Sequence, residues 1–443
     1  MNTKNINMLH GPLAKPLLLF TLPIALSSML QQLFNAADTV IVGLFESESA
    51  LAAVGANAEI VALIVTVSGG LAVGANVAVA NCVGKNKPGQ LPAILQSAAM
   101  VAAAVGLLGA LLGQAAVGPL LRLMNTPASI FLKAAQYLRI YLLGYPFLLL
   151  YDFGAAMLRA QGNSRFPFFA LALSGVLNVG LNLVFVIFVR MGVSGVAAAT
   201  SLSNACSAVL VLIKLYNGQM PQRRLPGWQT VRLHCRQILK TGLPSALQGA
   251  VFCLANLFVQ TAVNGFGPAA IAGSTVAVNF EYFTYYIITA FGQTATTFTG
   301  QNFAAGQINR CKRVLKICLW YAFFGCAAVI LPVVLFRGFF AGLFSANRQV
   351  VYYAGVRMVC ILLLEPICAF YEIPAGVLRG AGHAGLPAAS GVLGICVFRV
   401  VWVATVFAKS KALWVLYLAF PLSWAVTVVL TALSFVYTVR HKL

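Results

Sequence analysis

Long apolar runs follow one another along almost the whole chain, separated by short polar segments. A transmembrane helix needs about 20 predominantly apolar residues. Twelve runs reach that length, so the pattern predicts an all-α polytopic membrane protein with twelve transmembrane helices. The predicted spans are 14–44, 51–82, 92–117, 129–157, 165–189, 194–216, 236–264, 269–300, 311–335, 350–377, 386–408 and 412–438.

An internal repeat divides these spans into two sets of six. Residues 144–167 return as residues 364–387 at an offset of 220, with Arg159 matching Arg379 and Gly162 matching Gly382. Six is an even number, so both halves enter the membrane from the same side, as parallel repeats do. The predicted organisation is an N-terminal lobe (1–216), a cytoplasmic linker (217–235) and a C-terminal lobe (236–443). We expect a surface-lying amphipathic helix near residues 228–238 of the linker.

Composition and charge support a membrane protein. The chain is 60% hydrophobic and only 8% charged, and its net charge is +21. Nineteen basic residues lie in segments predicted to be cytoplasmic and nine in outer segments, Arg357 among the nine, while Arg399 stays inside a span. The positive-inside rule therefore predicts that both termini are cytoplasmic. No compact basic arm with interleaved aromatic residues is present, so nucleic acid is not an expected partner.

The first predicted span carries an acidic residue in an apolar run. Asp38 has no basic residue within twenty positions on either side. In a helix, Gln31, Asn35 and Asp38 fall on one polar stripe. A charged side chain at membrane depth is costly, so it normally faces a bundle interior or a water-filled cavity and is a functional candidate. The alternative is a structural hydrogen bond to a neighbouring helix.

Polar positions also recur at helical spacing on the seventh and eighth spans. Such faces do not suit lipid, and an inward orientation would line a substrate cavity with an aromatic wall and one acid, Glu281. The alternative is that the stripes join helices through hydrogen bonds, and that Glu281 is a buried, hydrogen-bonded carboxyl group. The predicted cavity residues are Gln31, Asn35, Asn256, Gln260, Glu281, Tyr282, Tyr286 and Gln293.

The remaining charges at membrane depth are predicted to be structural. Asp152 and Arg159 lie seven residues apart, two helical turns on one face, and Glu372 and Arg379 repeat that spacing. A lone buried arginine is very costly. We therefore expect Arg399 to pair with Glu365 or, failing that, with Glu281.

Cysteine and histidine positions give no sign of a metal site or an enzyme. The ten cysteines lack metal-ligand spacing and the four histidines form no cluster, so no metal and no cofactor other than a coupling ion is expected. An integral-membrane enzyme, which is the alternative class, would need a nucleophile with a base or a metal cluster at membrane depth. The chain has no HExxH, GxSxG or Walker motif, which also argues against direct use of ATP.

Several short sequences occur in an informative order along the chain. They are QLFNAADTVIVG from residue 32, MNTPASI from 124, LRAQGNSRFP from 158, LNVGLNLVF from 177, GVSGVAAATSLSN from 192, GQNFAAGQ from 300 and LRGAGHAGLP from 378. Together with the repeat, they resemble the multidrug and toxic compound extrusion family of secondary transporters. The resemblance covers nearly the whole chain.

This resemblance implies a fold and an activity. The fold would be two pseudo-symmetric six-helix lobes that form a V around a central cavity. The activity would be export of amphipathic, often cationic, small molecules from the cytoplasm by antiport with protons or sodium ions. The implied setting is a monomer in the bilayer of a bacterial inner (plasma) membrane. Lipid-linked oligosaccharide flippases are the related alternative, but they usually have extra spans and a cationic cavity, whereas here Arg399 is the one mid-span base.

The resemblance also implies a coupling site. The family's N-lobe cation site combines an acid on helix 1, an Asn/Asp pair on helix 5 and a Thr on helix 6. The matching positions are Asp38, Asn178, Asn182 and Thr200. Asn182 departs from the acid often found there, which leaves Asp38 as the sole ionisable member and favours protons over sodium. Protonation would change the hydrogen bonds of Asp38, and Pro23 gives the first helix a place to bend.

Overall fold

The computed structural model describes residues 5–124, 126–219 and 227–442, and these residues form helices with no β-strand. Part of the predicted linker, residues 220–226, lies outside the described residues. The α-helices are α1 (Ala14–Phe45), α2 (Glu48–Gly84), α3 (Leu91–Leu123), α4 (Ala128–Leu143), α5 (Tyr145–Ala160), α6 (Arg165–Leu183), α7 (Val193–Gln219), α8 (Trp228–Asn264), α9 (Pro268–Ala304), α10 (Ile308–Leu335), α11 (Arg337–Gly342), α12 (Arg348–Cys360), α13 (Ala369–Gly380), α14 (Gly385–Gly391), α15 (Phe398–Trp402), α16 (Ala408–Ser410) and α17 (Leu413–Lys442).

Each of the twelve predicted spans coincides with a helix or with consecutive helical segments. Within the described residues, ten helical segments are long and apolar enough to cross a membrane, and the bent pair α4–α5 makes eleven. The twelfth, α9, is 37 residues long and carries the polar positions noted on the eighth span. The all-α, multi-span prediction is therefore confirmed.

Two spans are not single helices. The pair α4–α5 bends by 44° at Gly144. A Cβ atom at Gly144 would lie 2.5 Å from the Ser201 hydroxyl oxygen, so only glycine allows α7 this close. Between α12 and α13, the chain forms a 3-10 helix, Leu362–Cys368, that contains Pro366. Short π-helical segments, Val184–Phe188 and Val392–Val397, extend α6 and α14.

Contacts divide the chain into two compact units. Unit 1 consists of Met1–Asn7 and Leu26–Ala246, and unit 2 of Met8–Ala25 and Leu247–Leu443. The first part of α1, which includes Pro23, therefore belongs to unit 2, and the first part of α8, which includes Pro244, belongs to unit 1. The lobe and linker boundaries derived from the repeat stay a prediction.

Close helix packing in unit 1 depends on small residues. A Cβ atom at Gly74 of α2 would lie 2.0 Å from the carbonyl oxygen of Ile238 in α8. Because apolar lipid gives helices little hydrophobic reason to associate, such close backbone approach is a main source of contact in membranes. A buried amide adds to it, since Asn76 donates a 3.0 Å hydrogen bond to the carbonyl oxygen of Ala156 in α5.

Unit 2 is organised around α9. A Cβ atom at Gly376 of α13 would lie 2.5 Å from the carbonyl oxygen of Gly292 in α9. The first part of α1 packs on another face of α9, where Phe20 meets Phe298 edge to face at 5.4 Å between ring centroids. Around these contacts the hydroxyl groups of Thr294, Thr296 and Thr297 in the second half of α9 are buried against protein.

The repeat is visible in the backbone at matching positions. Gly162 and Gly382 both have positive φ, +88° and +85°, and both end the preceding helix. The helix α8 differs from expectation: it is continuous from Trp228, so residues 228–238, predicted as a separate surface helix, form its first turns. A continuous helix satisfies their backbone groups and seats the buried Ile238 against α2.

Candidate functional site

Asp38 lies near the end of α1 and is buried, with 7% of its surface exposed. Its Oδ1 atom accepts a 2.5 Å hydrogen bond from the Asn182 amide of α6, and its Oδ2 atom accepts a 3.2 Å bond from the Thr200 hydroxyl of α7. The carboxyl group thus joins three helices of unit 1.

Asn178 completes this cluster from the same face of α6. Its amide donates to the Thr200 oxygen at 3.4 Å, and its Oδ1 atom accepts from Asn182 at 3.3 Å. The structure brings together all four residues that the resemblance implied as a coupling site. Their role in coupling stays a prediction.

The surroundings of Asp38 are polar but uncharged. Its hydrogen bonds come from an amide and a hydroxyl group, and the ionisable side chains that interact with it electrostatically include the buried phenols of Tyr137 and Tyr141. One acceptor nearby, the Asn182 Oδ1 atom, is buried and has no hydrogen-bond partner. The cluster therefore offers a carboxyl group without a counter-cation, next to an unused oxygen.

The predicted cavity residues are divided between the two units, and their role in a cavity stays a prediction. Gln31 (half-buried) and Asn35 (exposed) lie in unit 1, and the other six lie in unit 2. On α9, the Tyr282 and Tyr286 rings stack at 6.2 Å between centroids, and Tyr282 is exposed. Gln293 is half-buried on the same helix. On α8, the Gln260 amide donates to Asn264.

Glu281 is not a free negative charge. The Arg357 guanidinium donates through Nε to Oε1 at 2.7 Å and through Nη2 to Oε2 at 2.8 Å, which is a bidentate ion pair. The Nη1 atom of Arg357 donates to the Ser274 hydroxyl at 2.7 Å. Glu281 therefore matches the alternative interpretation, in which it is a buried, hydrogen-bonded carboxyl group. Arg357 was expected in an outer segment, but it is buried on α12.

The expected pairing of Arg399 is wrong. Its Nε atom donates to the Ser423 hydroxyl at 3.1 Å, and its Nη1 atom donates to the Asn256 side-chain oxygen at 2.7 Å. Glu365 instead accepts a hydrogen bond from the Thr284 hydroxyl, and Glu281 is taken by Arg357. The expectation was based on the cost of a lone buried arginine and did not include the rotation of each helix about its axis, which decides where a side chain points.

The two acid–arginine pairs with a spacing of seven residues differ in their contacts. Glu372 and Arg379 form an ion pair, as their spacing of two turns predicted. In the first half, Asp152 accepts a 2.6 Å hydrogen bond from Ser68 of α2, and the Nε atom of Arg159 donates to the carbonyl oxygen of Ala155. Equal spacing in the two halves therefore leads to different strongest contacts, because the facing helix differs.

Sequence reasoning missed several polar partners at these sites. Ser274, Thr284 and Ser423 each bind a buried charged side chain, but a single hydroxyl residue in an apolar run gives no recognisable signal. The aromatic ring of Phe420 was missed as well, although it lies 4.0 Å from the Arg399 guanidinium carbon. Among the described residues, no group of three His, Cys, Asp or Glu side chains could hold a metal ion.

Comparisons with known proteins identify a protein family and several similar transporters. The family model described as MatE matches residues 23–184 and again residues 244–405. The chain is 24% identical to the probable multidrug resistance protein YoeA of Bacillus subtilis over 425 residues, which cover 93% of this chain and 91% of that protein. It is 28% identical to the probable multidrug resistance protein YpnP of the same organism over 390 residues, 86% of this chain and 85% of that one.

A solved structure shares the fold. A MOP superfamily transporter from Pyrococcus furiosus superposes with a TM-score of 0.88 at 21% identity, and the alignment covers 99% of both chains. The MatE model matches each half of the internal repeat separately, and the two matches cover well over half of the chain. This multi-pass membrane protein therefore belongs to the MatE family, the multidrug and toxic compound extrusion transporters.

Proposed function

We propose that the protein exports amphipathic small molecules from the cytoplasm in exchange for protons, and that Asp38 carries the proton. The observation that supports this most directly is a buried carboxyl group whose hydrogen-bond donors, Asn182 and Thr200, are both uncharged. An ionised carboxylate without a cationic partner is costly at membrane depth. Uptake of a proton or a small cation removes that cost, so the site is suited to alternate between two charge states.

The change in charge would reach three helices. An ionised Asp38 accepts hydrogen bonds from α6 and α7, whereas a protonated one donates from one oxygen and needs an acceptor. The unpartnered Oδ1 atom of Asn182 can serve as that acceptor. Each state therefore favours a different arrangement of α1 against α6 and α7, and Pro23 marks the place where α1 can bend.

Protons suit this geometry better than sodium ions. Sodium would require several oxygen ligands around the carboxylate, but protein N–H and O–H groups already donate to both Asp38 oxygens. Asp38 is also the only acid in the cluster. The oxygen atoms of Asn178, Asn182 and Thr200 keep sodium as the second candidate, and the experiment below separates the two ions.

The relatives named as multidrug resistance proteins support a broad range of amphipathic substrates. The resemblance implies that substrates are often cationic, but Glu281, the acid of the predicted aromatic wall, is paired with Arg357 and offers such compounds no free negative charge. We further propose that both termini are cytoplasmic, on the basis of the asymmetric distribution of Lys and Arg. The family resemblance adds the proposal that the protein acts as a monomer in a bacterial plasma membrane.

Transport in proteoliposomes tests the proposal. A proton gradient and, separately, a sodium gradient of equal size are imposed, and accumulation of neutral, cationic and anionic fluorophores is measured. We expect the proton gradient alone to drive uptake and Asp38→Asn to abolish it, because Asn keeps the shape but cannot titrate. The exposed acid Glu48, changed to Gln, is the matched control and should transport normally.

Two results would contradict this assignment. Wild-type uptake driven only by sodium would make sodium the coupling ion. Normal gradient-driven export by Asp38→Asn would show that Asp38 is structural. Asn178→Ala and Asn182→Ala should weaken transport less than Asp38→Asn, since these residues adjust the site but do not carry its charge.

A further inference from the structure

Arg399 is a buried cation that has no carboxylate partner within the part of the chain that the structure describes. Only 4% of its surface is exposed. Unit 2 contains two other arginines that are well buried, Arg357 and Arg379, and each forms an ion pair with its own glutamate. Arg399 instead contacts a hydroxyl group, an amide oxygen and an aromatic ring. These three contacts fix the guanidinium but do not neutralise it.

The other ionisable groups around Arg399 do not supply a negative charge either. The ionisable groups that interact with its guanidinium include the phenols Tyr371 and Tyr285 and the thiols Cys368 and Cys396, which are neutral at pH 7 at their ordinary pKa values. Glu365 is buried in the same unit, yet it hydrogen-bonds to Thr284. Burial of an uncompensated charge is unfavourable, so the guanidinium would be stabilised by an anion, and none of the described side chains forms an ion pair with it.

The guanidinium is oriented and can be reached through Asn256. The ring of Phe420 covers one face of the guanidinium at 4.0 Å, and Nε and Nη1 are engaged by Ser423 and Asn256. Among the described residues, Nη2 donates to no protein group. Asn256 is itself exposed, and its Oδ1 atom lies 2.7 Å from Nη1. A solute that touches Asn256 is therefore adjacent to the positive charge, with the Asn256 amide as a second donor.

We propose that Arg399 and Asn256 bind an oxyanion, a carboxylate or a phosphate, carried by an amphipathic solute that the protein transports. A planar guanidinium with a free N–H group binds such oxyanions in a directional way. Arg399 lies nine residues before the end of the span at 408, about 14 Å at 1.5 Å per residue, which is deeper than a lipid headgroup sits. That the bound solute is then exported rests on the proposed function, whereas its binding to Arg399 and Asn256 does not.

The pairing of Glu281 supports the same substrate class. Arg357 neutralises Glu281, and Phe420 lies between the two guanidinium groups, 5.4 Å from that of Arg357 and 4.0 Å from that of Arg399. Of the two guanidinium groups beside Phe420, that of Arg399 is therefore the one without a carboxylate hydrogen-bonded to it. An anionic or zwitterionic solute suits it better than the cationic compounds expected from the sequence.

The test is equilibrium binding to the purified full-length protein in phosphatidylcholine nanodiscs, without any gradient. Two matched pairs of fluorescent probes are used. A rhodamine with a free carboxylate is compared with its methyl ester, and riboflavin monophosphate is compared with riboflavin. In at least one pair, we expect the probe with the free carboxylate or phosphate to bind about tenfold more tightly than the probe that lacks it. Arg399→Gln should remove that preference, and Arg399→Lys should retain part of it.

Controls separate binding from folding. Arg348→Gln removes an exposed arginine and should leave the preference unchanged. If Arg399→Gln does not fold, Asn256→Asp gives the answer, because it places a carboxylate of the chain against the guanidinium. We expect Asn256→Asp to unfold at higher temperature than wild type and to lose the preference for the anionic probes. A purely structural Arg399 could give the first effect but not the second.

Three outcomes would overturn the inference. The first is equal affinity of the wild type for both members of each pair. The second is a preference that survives in folded Arg399→Gln. The third is displacement of the probe by phosphatidylglycerol, which would assign the site to a lipid headgroup. The proposed transport function fails on a different result, normal export by Asp38→Asn. Because that result leaves binding untouched, the two failures can be told apart.

Discussion

The ion pair between Glu281 and Arg357 gives the sharpest test of how unit 2 is held together. The two side chains are 12% and 6% exposed and are joined by two short hydrogen bonds. Removing one partner of a buried pair typically costs about 3–5 kcal/mol, because the other charge is left uncompensated. We expect Glu281→Gln and Arg357→Met each to lower the free energy of unfolding by about that amount.

The double variant should cost much less than the sum of the two single losses. Removing both partners leaves no buried charge, and apolar replacements of buried ion pairs are often close to neutral. The coupling energy between the two sites should therefore be at least about 3 kcal/mol, at or above the top of the range for contacting residues. Arg357→Met also removes the 2.7 Å hydrogen bond to the Ser274 hydroxyl, which keeps only the longer one from Tyr417, so this single variant should be the less stable of the two.

Free energies of unfolding come from SDS titration in mixed micelles, read by tryptophan fluorescence. The matched control is the Glu372–Arg379 pair of the same unit, with side chains 11% and 12% exposed. A crossed cycle of Glu281→Gln with Arg379→Met should be additive to within about 0.5 kcal/mol, since the two residues share no contact in the pairs described. Additive losses in the Glu281–Arg357 cycle would show that the pair does not stabilise the fold as argued.

Two further predictions concern packing and substrate range. Gly74→Val should destabilise unit 1 by about 1–3 kcal/mol, because a Cβ atom at Gly74 would collide with the backbone of Ile238. Gly69→Ala is the control: the space around Gly69 is open, so this variant should be as stable as wild type in the same unfolding titration. Tyr282→Leu should narrow the range of aromatic fluorophores transported in proteoliposomes, because it removes one ring of the stack with Tyr286. An unchanged range would show that the stacked rings have only a structural role in α9.

The sequence by itself determined the class, the spans and the internal repeat of this protein. These features depend on local composition and on periodicity, which any helix in a bilayer must satisfy. Asp38 was identified in the same way, because an acid in a long apolar run is costly wherever it points. Its partners Asn178, Asn182 and Thr200 came from the family resemblance, and the structure brings them together.

Only the tertiary structure decided which buried charges meet. Glu281 and Arg357 are separated by 76 positions, and no spacing rule connects them. Glu365 and Arg399 lie in consecutive predicted spans, but their side chains contact Thr284 and Asn256 and not each other. Helix rotation is set by the sum of many small packing contacts, and each of these depends on a neighbouring helix that is remote in sequence. For that reason the sequence located the charges, and the packing assigned their partners.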